Sequence, residues 1–182
     1  MFFKRKNKYR GEKKDKLYHG KGSMIFVNDD VYEGDWKEGN MDGQGTYKHN
    51  NGDIYIGKFS VGKKSGEGLY TYPDGKTYKG QFSNDMKNGI GKLTYANGDF
   101  YVGEFVDELF FGEGEFIYSN GTKYTGSYEK NLIHGKGTII HPNGDKYEGE
   151  WKYGTYNGIG KYTHSDGQIN AGRWENGKYR GE

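Results

Sequence analysis

Along most of the chain, aromatic residues and glycine occupy every second position while polar residues stand between them, most clearly in Tyr32-Glu33-Gly34-Asp35-Trp36. A period of two predicts an extended strand with Tyr32, Gly34 and Trp36 on one face. The same pattern restarts at Tyr9, Tyr55, Tyr78, Tyr101, Tyr124 and Tyr147, always at a step of 23 residues and without insertion or deletion. With the Tyr as position 0, Gly falls at 2, an aromatic at 4 in most repeats, Gly at 11 and 13, and Gly at 20. A second strand is predicted over positions 13 to 17. Position 15 there is Met24, Tyr47, Tyr70, Leu93, Phe116, Ile139 or Tyr162, and position 17 is Phe26, His49, Tyr72, Tyr95, Tyr118, His141 or His164. Each repeat is thus a strand pair with one ring-rich face.

Asn51-Gly52, Asp74-Gly75, Asn97-Gly98, Asn143-Gly144 and Asp166-Gly167 separate one repeat from the next. These pairs accept the positive φ of hairpin turns and join the strands into one antiparallel meander. At about 4.8 Å per strand, eight repeats would span roughly 70 to 80 Å as a rod or curved ribbon. The glycine at position 2 predicts that rings lie over bare backbone, so replacing it costs more than turn strain alone. The ends depart from the pattern, as the ends of repeat arrays do. Lys13 replaces the aromatic at position 4, and Asp29 replaces the turn glycine. The last repeat, from Asn170, stops at Glu182 before a second strand is expected to form. An open edge there would invite pairing with another chain, so a homodimer through this edge is one expectation.

Composition changes the picture in one respect. At 31% hydrophobic residues and mean hydropathy −1.10 the chain would read as disordered, but 17% aromatics supply apolar area as rings. The formal charge of +2 conceals an asymmetry. Residues 1 to 16 hold eight Lys and Arg against Glu12 and Asp15, so 8 − 2 = +6, and the remainder carries 2 − 6 = −4. The absence of cysteine suits a reducing compartment. No apolar stretch reads as a signal peptide or a spanning helix, and Phe2 excludes myristoylation, so a cytoplasmic setting is expected, with peripheral attachment to membrane or cytoskeleton open.

Candidate chemistry is sparse. Gly-x-Gly recurs in every repeat and precedes a strand, which argues against a phosphate loop. His49, His141 and His164 share position 17, and those in adjacent repeats are roughly 10 Å apart, too far to share a metal ion. Asp53, Asp99 and Asp145 are explained by the turns. No catalytic set stands apart from the repeat, so no enzyme activity, cofactor or metal is expected.

Individual function is sought where repeats differ. Positions 8 to 10, polar in most repeats, become Leu109-Phe110-Phe111 and Leu132-Ile133 in the fifth and sixth, predicting an apolar loop patch that either contacts a partner or closes the ribbon's edge. The ring ladder Tyr32, Trp36, Tyr55, Phe59, Tyr78, Phe82, Tyr101, Phe105, Tyr124, Tyr128, Tyr147 and Trp151 holds the sheet together and is also a candidate groove for an amphipathic helix. Phe2, Phe3, Lys4, Arg5, Lys6, Lys8, Arg10, Lys13, Lys14 and Lys16 form either a solvated tail or a contact for an acidic membrane. Nucleic acid is a weaker choice, because the acidic body has no basic face.

Tyr147-Glu148-Gly149-Glu150-Trp151 with Asn157-Gly158-Ile159-Gly160, and Tyr32 to Trp36 with Gly43-Gln44-Gly45, resemble the MORN (membrane occupation and recognition nexus) repeat. The resemblance runs from about Tyr9 to Glu182, leaving residues 1 to 8 as a basic leader before seven repeats and a truncated eighth. It implies an all-β, elongated, twisted antiparallel β-solenoid of hairpins with a concave aromatic groove. It also implies a stand-alone scaffold that holds a partner protein, such as an amphipathic helix of a myosin-tail-like segment, at a membrane or cytoskeletal structure. Acidic-phospholipid or phosphoinositide binding, and regulation of a separate phosphatidylinositol phosphate kinase, are the alternatives that the family implies.

Overall fold

A computed structural model describes residues 6–182; Phe2, Phe3, Lys4 and Arg5 of the basic leader lie outside the described residues. All regular structure among the described residues is β, in one open antiparallel sheet whose strand order follows the sequence from β1 to β16. Two compact units divide the chain, Met1–Asn88 and Gly89–Glu182. The first holds β1 (Lys8–Lys14), β2 (Leu17–Ile25), β3 (Val31–Lys37), β4 (Asn40–Lys48), β5 (Ile54–Ser60), β6 (Lys63–Thr71), β7 (Thr77–Ser83) and the first residues of β8 (Met86–Thr94). The second continues with β9 (Phe100–Val106), β10 (Leu109–Ile117), β11 (Lys123–Glu129), β12 (Leu132–Ile140), β13 (Lys146–Lys152), β14 (Thr155–Thr163), β15 (Ile169–Glu175) and β16 (Lys178–Gly181).

The second strand of each repeat is longer than the sequence pattern predicts. It starts at position 8 instead of 13, so Leu109-Phe110-Phe111 and Leu132-Ile133 are strand residues and not loops. The cause is a two-residue turn at positions 6 and 7. Both residues have positive φ, as in Asp107 (46°) and Glu108 (74°), or Lys130 (50°) and Asn131 (70°), which is the type I′ geometry that matches strand twist. Asn176-Gly177 in the eighth repeat is an Asn-Gly pair, whereas the others, among them Val61-Gly62, Asp107-Glu108, Lys130-Asn131 and Tyr153-Gly154, share no common dipeptide. The Asn-Gly and Asp-Gly pairs at positions 19 and 20 serve the looser connection between repeats. There Gly52 (φ 95°) donates its N–H to His49 O at 3.0 Å, while His49 N–H bonds Asp53 O at 2.8 Å.

One turn carries strain. Val61 is β-branched, sits at φ 47° and is 68% exposed, so nothing in its packing compensates for the left-handed conformation. Val61→Asn is expected to raise stability by about 1 kcal/mol. A chemical denaturation midpoint that stays put or falls would contradict this.

The core is a seat repeated seven times. The two glycines of a repeat face each other across its strands, Gly57 opposite Gly68 and Gly149 opposite Gly160. The position 0 tyrosine lies flat over that bare pair and donates its hydroxyl to the carbonyl three residues ahead in its own strand: Tyr55 to Lys58 O at 2.9 Å, Tyr101 to Glu104 O at 3.0 Å. The position 4 ring of its own repeat stands edge-on to it, and so does that of the next: Tyr55 meets Phe59 and Phe82 at 5.1 and 5.0 Å. The position 9 side chain covers its outer face, as Phe110 stacks on Tyr101 at 3.8 Å and Tyr156 on Tyr147 at 3.8 Å. Each enclosed ring contributes about 2 kcal/mol through burial, which lets a chain of such low hydropathy fold.

At the C-terminal end the structure departs from expectation. The eighth repeat does close a hairpin: β16 pairs with β15 through Trp174 opposite Tyr179 and Glu175 opposite Lys178. Tyr179 takes the covering role at position 9, so four residues suffice to complete the ring contact at Trp174. Arg180 in the same strand pairs with Glu175 of β15 at 3.2 Å.

Candidate functional site

The sheet has a ring face and a polar face. On the ring face Tyr32, Tyr55, Tyr78, Tyr101, Tyr124 and Tyr147 have no exposed surface, and Trp36, Phe59, Phe82, Phe105, Tyr128 and Trp151 are buried. Glycine seats, edge-on neighbours and the position 9 cover consume these twelve rings, leaving almost none of their surface for a partner. The rings that do reach solvent there belong to positions 15 and 17, among them Tyr47, Tyr72, Tyr95, Phe116 and Tyr162, which are half-buried. In the third and fourth repeats the cover is a lysine. Lys64 Nζ lies 4.7 Å from the Tyr70 ring centroid and Lys87 Nζ 5.6 Å from that of Tyr78, within cation–π range.

Hydrogen bonds from the ring face tie repeats together. Where position 4 is Trp, its indole N–H reaches a glycine carbonyl of the preceding repeat: Trp36 to Gly22 O, Trp151 to Gly137 O and Trp174 to Gly160 O, each at 3.1 Å. Tyr128 occupies the same position with a hydroxyl that is buried and has no hydrogen-bond partner, and burial pushes its pKa well above the usual tyrosine value. Removing an unsatisfied buried hydroxyl recovers its desolvation cost, so Tyr128→Phe is expected to be neutral or stabilising by about 1 kcal/mol. A fall in melting temperature of the purified variant would refute that.

A second tie uses aspartate at position 21. Asp30 accepts from the Tyr47 hydroxyl at 2.8 Å and from Asn50 N–H at 2.8 Å, and Asp145 accepts from the Tyr162 hydroxyl at 3.0 Å and Ser165 N–H at 2.8 Å. Burial pushes the Asp30 carboxyl up, but the Asn50 N–H, the Tyr47 hydroxyl, Asn28 and the nearby His49 outweigh it and hold it below the usual carboxylate range. A carboxyl with a depressed native pKa stabilises the fold fully above its unfolded pKa of about 3.9, and the contribution is lost as pH falls through the native value. Asp30→Asn is therefore expected to flatten the acid limb of the stability curve below about pH 4. An unchanged acid limb in the variant would remove Asp30 as its cause. The tyrosine at position 15 and the aspartate, which sequence alone explained by separate patterns, act as one pair.

The polar face carries two open troughs of the same construction, one in each unit. In the second unit Gly137, Gly149, Gly160 and Gly172 form the floor, and Lys136, Glu148, Glu150, Ile159 and Lys161 stand along the sides. In the first, Gly11, Gly22, Gly34 and Gly45 lie between Lys21, Glu33, Gln44 and Ile56. Glu150 accepts Ile159 N–H at 3.0 Å and Asp35 accepts Gln44 N–H at 2.8 Å, so one wall of each trough is braced at the glycine bulge of the second strand.

The apolar candidates of the fifth and sixth repeats split by strand alternation. Phe110 is 7% exposed on the ring face, and Ile133 is half-buried there opposite Tyr128. Leu109, Phe111 and Leu132 are 36%, 41% and 46% exposed and lie on the polar face. The described basic residues are not a tail beyond Asn7: Lys8, Arg10, Lys13 and Lys14 belong to β1 and pair with β2, Lys16 lies in the following turn, and all of them and Lys6 are exposed, with Lys13 Nζ 5.6 Å from the Tyr18 ring centroid. The His49 ring lies 4.6 Å from that of Tyr47 and the His164 ring 4.6 Å from that of Tyr162, both tilted, as ring stand-ins. Among the described residues no group of three His, Asp or Glu could hold a metal ion, and no helix is long and apolar enough to cross a membrane.

Among solved structures, the SAS-4 (dCPAP) TCP domain of Drosophila melanogaster in complex with a proline-rich motif of Ana2 is similar at 19% identity over 73% of each chain, with a TM-score of 0.46. The TCP10 domain of Danio rerio CPAP in complex with a peptide of STIL matches at 14% identity over 82% of this chain and 81% of that one, with a TM-score of 0.41. No curated protein matches the sequence. The MORN repeat model matches seven consecutive segments, 9–31, 32–54, 55–77, 78–100, 101–123, 124–146 and 147–169, in phase with the tyrosine seats. Seven contiguous matches over most of the sequence, on a sheet with one hairpin per match, make this chain a member of the MORN-repeat family.

Proposed function

We propose that the chain is a non-catalytic scaffold that holds a segment of a partner protein against the polar face of the sheet. The observation that carries this reading is the pair of troughs: two units present the same glycine floor, with walls of mixed charge that differ from one to the other. Of the aspartates with lowered pKa, Asp30, Asp99 and Asp145 are engaged in turns and Asp35 is held by Lys21 and the Gln44 N–H, which supports a binding role over chemistry. An amphipathic helix with both charge signs on its polar side fits such walls. A membrane or cytoskeletal structure is the setting that family membership suggests for the complex.

Photo-crosslinking tests it. A benzophenone side chain placed at Ile56 or Ile159, on trough walls, should capture the same partner polypeptide, whereas one at Tyr153, exposed at a hairpin tip, should not. Capture from Tyr153 alone would sink the reading.

A second reading, attachment to acidic phospholipid, rests on the exposure of Lys6, Lys8, Arg10, Lys13, Lys14 and Lys16. Basic residues contribute about 1 kcal/mol each at an anionic surface. Co-sedimentation with phosphatidylserine vesicles at low salt and its loss at high salt would support this reading, and equal binding to neutral vesicles would exclude it.

A further inference from the structure

The hairpin of β9 and β10 differs from the others in two respects that coincide. Residues 99–117 contain Asp99, Glu104, Asp107, Glu108, Glu113 and Glu115 and no Lys or Arg, so 0 − 6 = −6 in nineteen residues. The same hairpin exposes Val102 (37%), Val106 (42%), Leu109 (36%) and Phe111 (41%). Strand pairing interleaves the two sets. Phe111 lies opposite Glu104, Glu115 opposite Val102 and Leu109 opposite Val106, while Ile90, 56% exposed, continues the strip beside Glu104. Leu132 extends it beside Glu129 on the far side. Carboxylates and apolar side chains therefore share one strip of the polar face, outside both troughs, with Glu115 paired to Lys123 and Lys92 opposite Val102 at its margin.

The occupant of such a strip must be basic and apolar together, since a neutral apolar segment leaves the carboxylates desolvated and a purely basic one leaves Phe111 and Leu109 in water. The chain contains one segment of that chemistry. Residues 1–16 carry +6, beginning Phe2-Phe3-Lys4-Arg5-Lys6, so that two aromatic rings sit immediately before three successive cations. We propose that the start of one molecule docks on the β9–β10 strip of a second molecule. Phe2 and Phe3 supply the apolar contact to Leu109, Phe111 and Leu132, and Lys4, Arg5 and Lys6 face Glu104, Glu113 and their neighbours. The contact is heterologous: each molecule has both a donor segment and an acceptor strip, so the assembly does not close at two. This inference is independent of the troughs, and its surface does not overlap theirs.

Sedimentation of the full chain tests it. At low salt the weight-average mass should rise with concentration beyond that of a dimer, and at high salt, where the charge term is screened, it should fall back to the monomer. Phe111→Asp, at an exposed position that leaves the melting temperature unchanged, should reduce association at least about tenfold, and the double change Phe2→Ser with Phe3→Ser should do the same. An equimolar mixture of these two variants should form a one-to-one dimer and nothing larger, because only one intact segment and one intact strip remain. A monomer at every concentration in low salt would overturn the proposal. So would association that survives either variant, or a mixture that stays monomeric. Phe2→Ser with Phe3→Ser guards against a folding artefact, since it leaves every residue of the strip in place.

Discussion

Gly68→Ala is expected to cost about 3 kcal/mol, more than any turn substitution in the chain. A methyl group there would stand 2.5 Å from Tyr55 Cε2, 2.6 Å from its hydroxyl oxygen and 2.7 Å from Cζ. The ring must leave its seat. Three losses follow together: the hydroxyl bond to Lys58 O, the edge-on contacts to Phe59 and Phe82, and the enclosure of a side chain with no exposed surface. At this chain length the change corresponds to a melting temperature lower by about 10 °C. The mechanism makes a sharper claim than the size does. In a Tyr55→Ala background the seat is empty, so Gly68→Ala should cost less than about 1 kcal/mol, giving a large coupling energy in the double-mutant cycle. Additive costs would show that the glycine is required for backbone reasons and not by the ring.

Phe110→Asp and Phe111→Asp should behave as opposites although the residues are neighbours. Phe110 is stacked on Tyr101 at 3.8 Å and edge-on to Phe105 and Tyr128 at 5.4 and 5.9 Å. An aspartate there loses the stack and places a carboxylate among rings, at a cost of about 4 kcal/mol or more. Phe111 points to the polar face, and its replacement should change stability by less than about 0.5 kcal/mol while altering only what the face binds. Thermal melts of the two variants decide this directly, and similar losses in both would mean that Phe111 also packs.

The same pair of residues shows what the sequence could and could not disclose. The 23-residue period, the ring ladder and the role of glycine beneath the rings were legible because they repeat seven times and obey strand alternation. The start of the second strand was not, because it depends on the I′ turns at positions 6 and 7, whose residues change from repeat to repeat, from Asp107-Glu108 to Val61-Gly62, Lys130-Asn131 and Tyr153-Gly154, and so give no repeated turn signal. Without that boundary Leu109, Phe110 and Phe111 read as one loop patch. With it they divide between two faces. The ring ladder carries the converse lesson. Composition predicts many aromatics near a surface, but only the geometry of the seat shows that those at positions 0 and 4 are used up in packing and that the half-buried rings at positions 15 and 17 face solvent. Position 9 was overlooked because it is Tyr, Met, Lys, Phe or Ile in different repeats, and its common property is where it lies, not what it is.

The tyrosine seats also grade the chain's chemistry. Tyr153 is 60% exposed and Tyr179 37%, whereas the hydroxyls of Tyr32, Tyr55, Tyr78, Tyr101, Tyr124 and Tyr147 are tucked beneath their neighbours. A nitrating reagent or a tyrosine kinase can reach the second group only when a repeat lifts away from the sheet. The order in which those six tyrosines become modified would therefore record the order in which the repeats open, with each ring acting as an internal clock for its own hairpin.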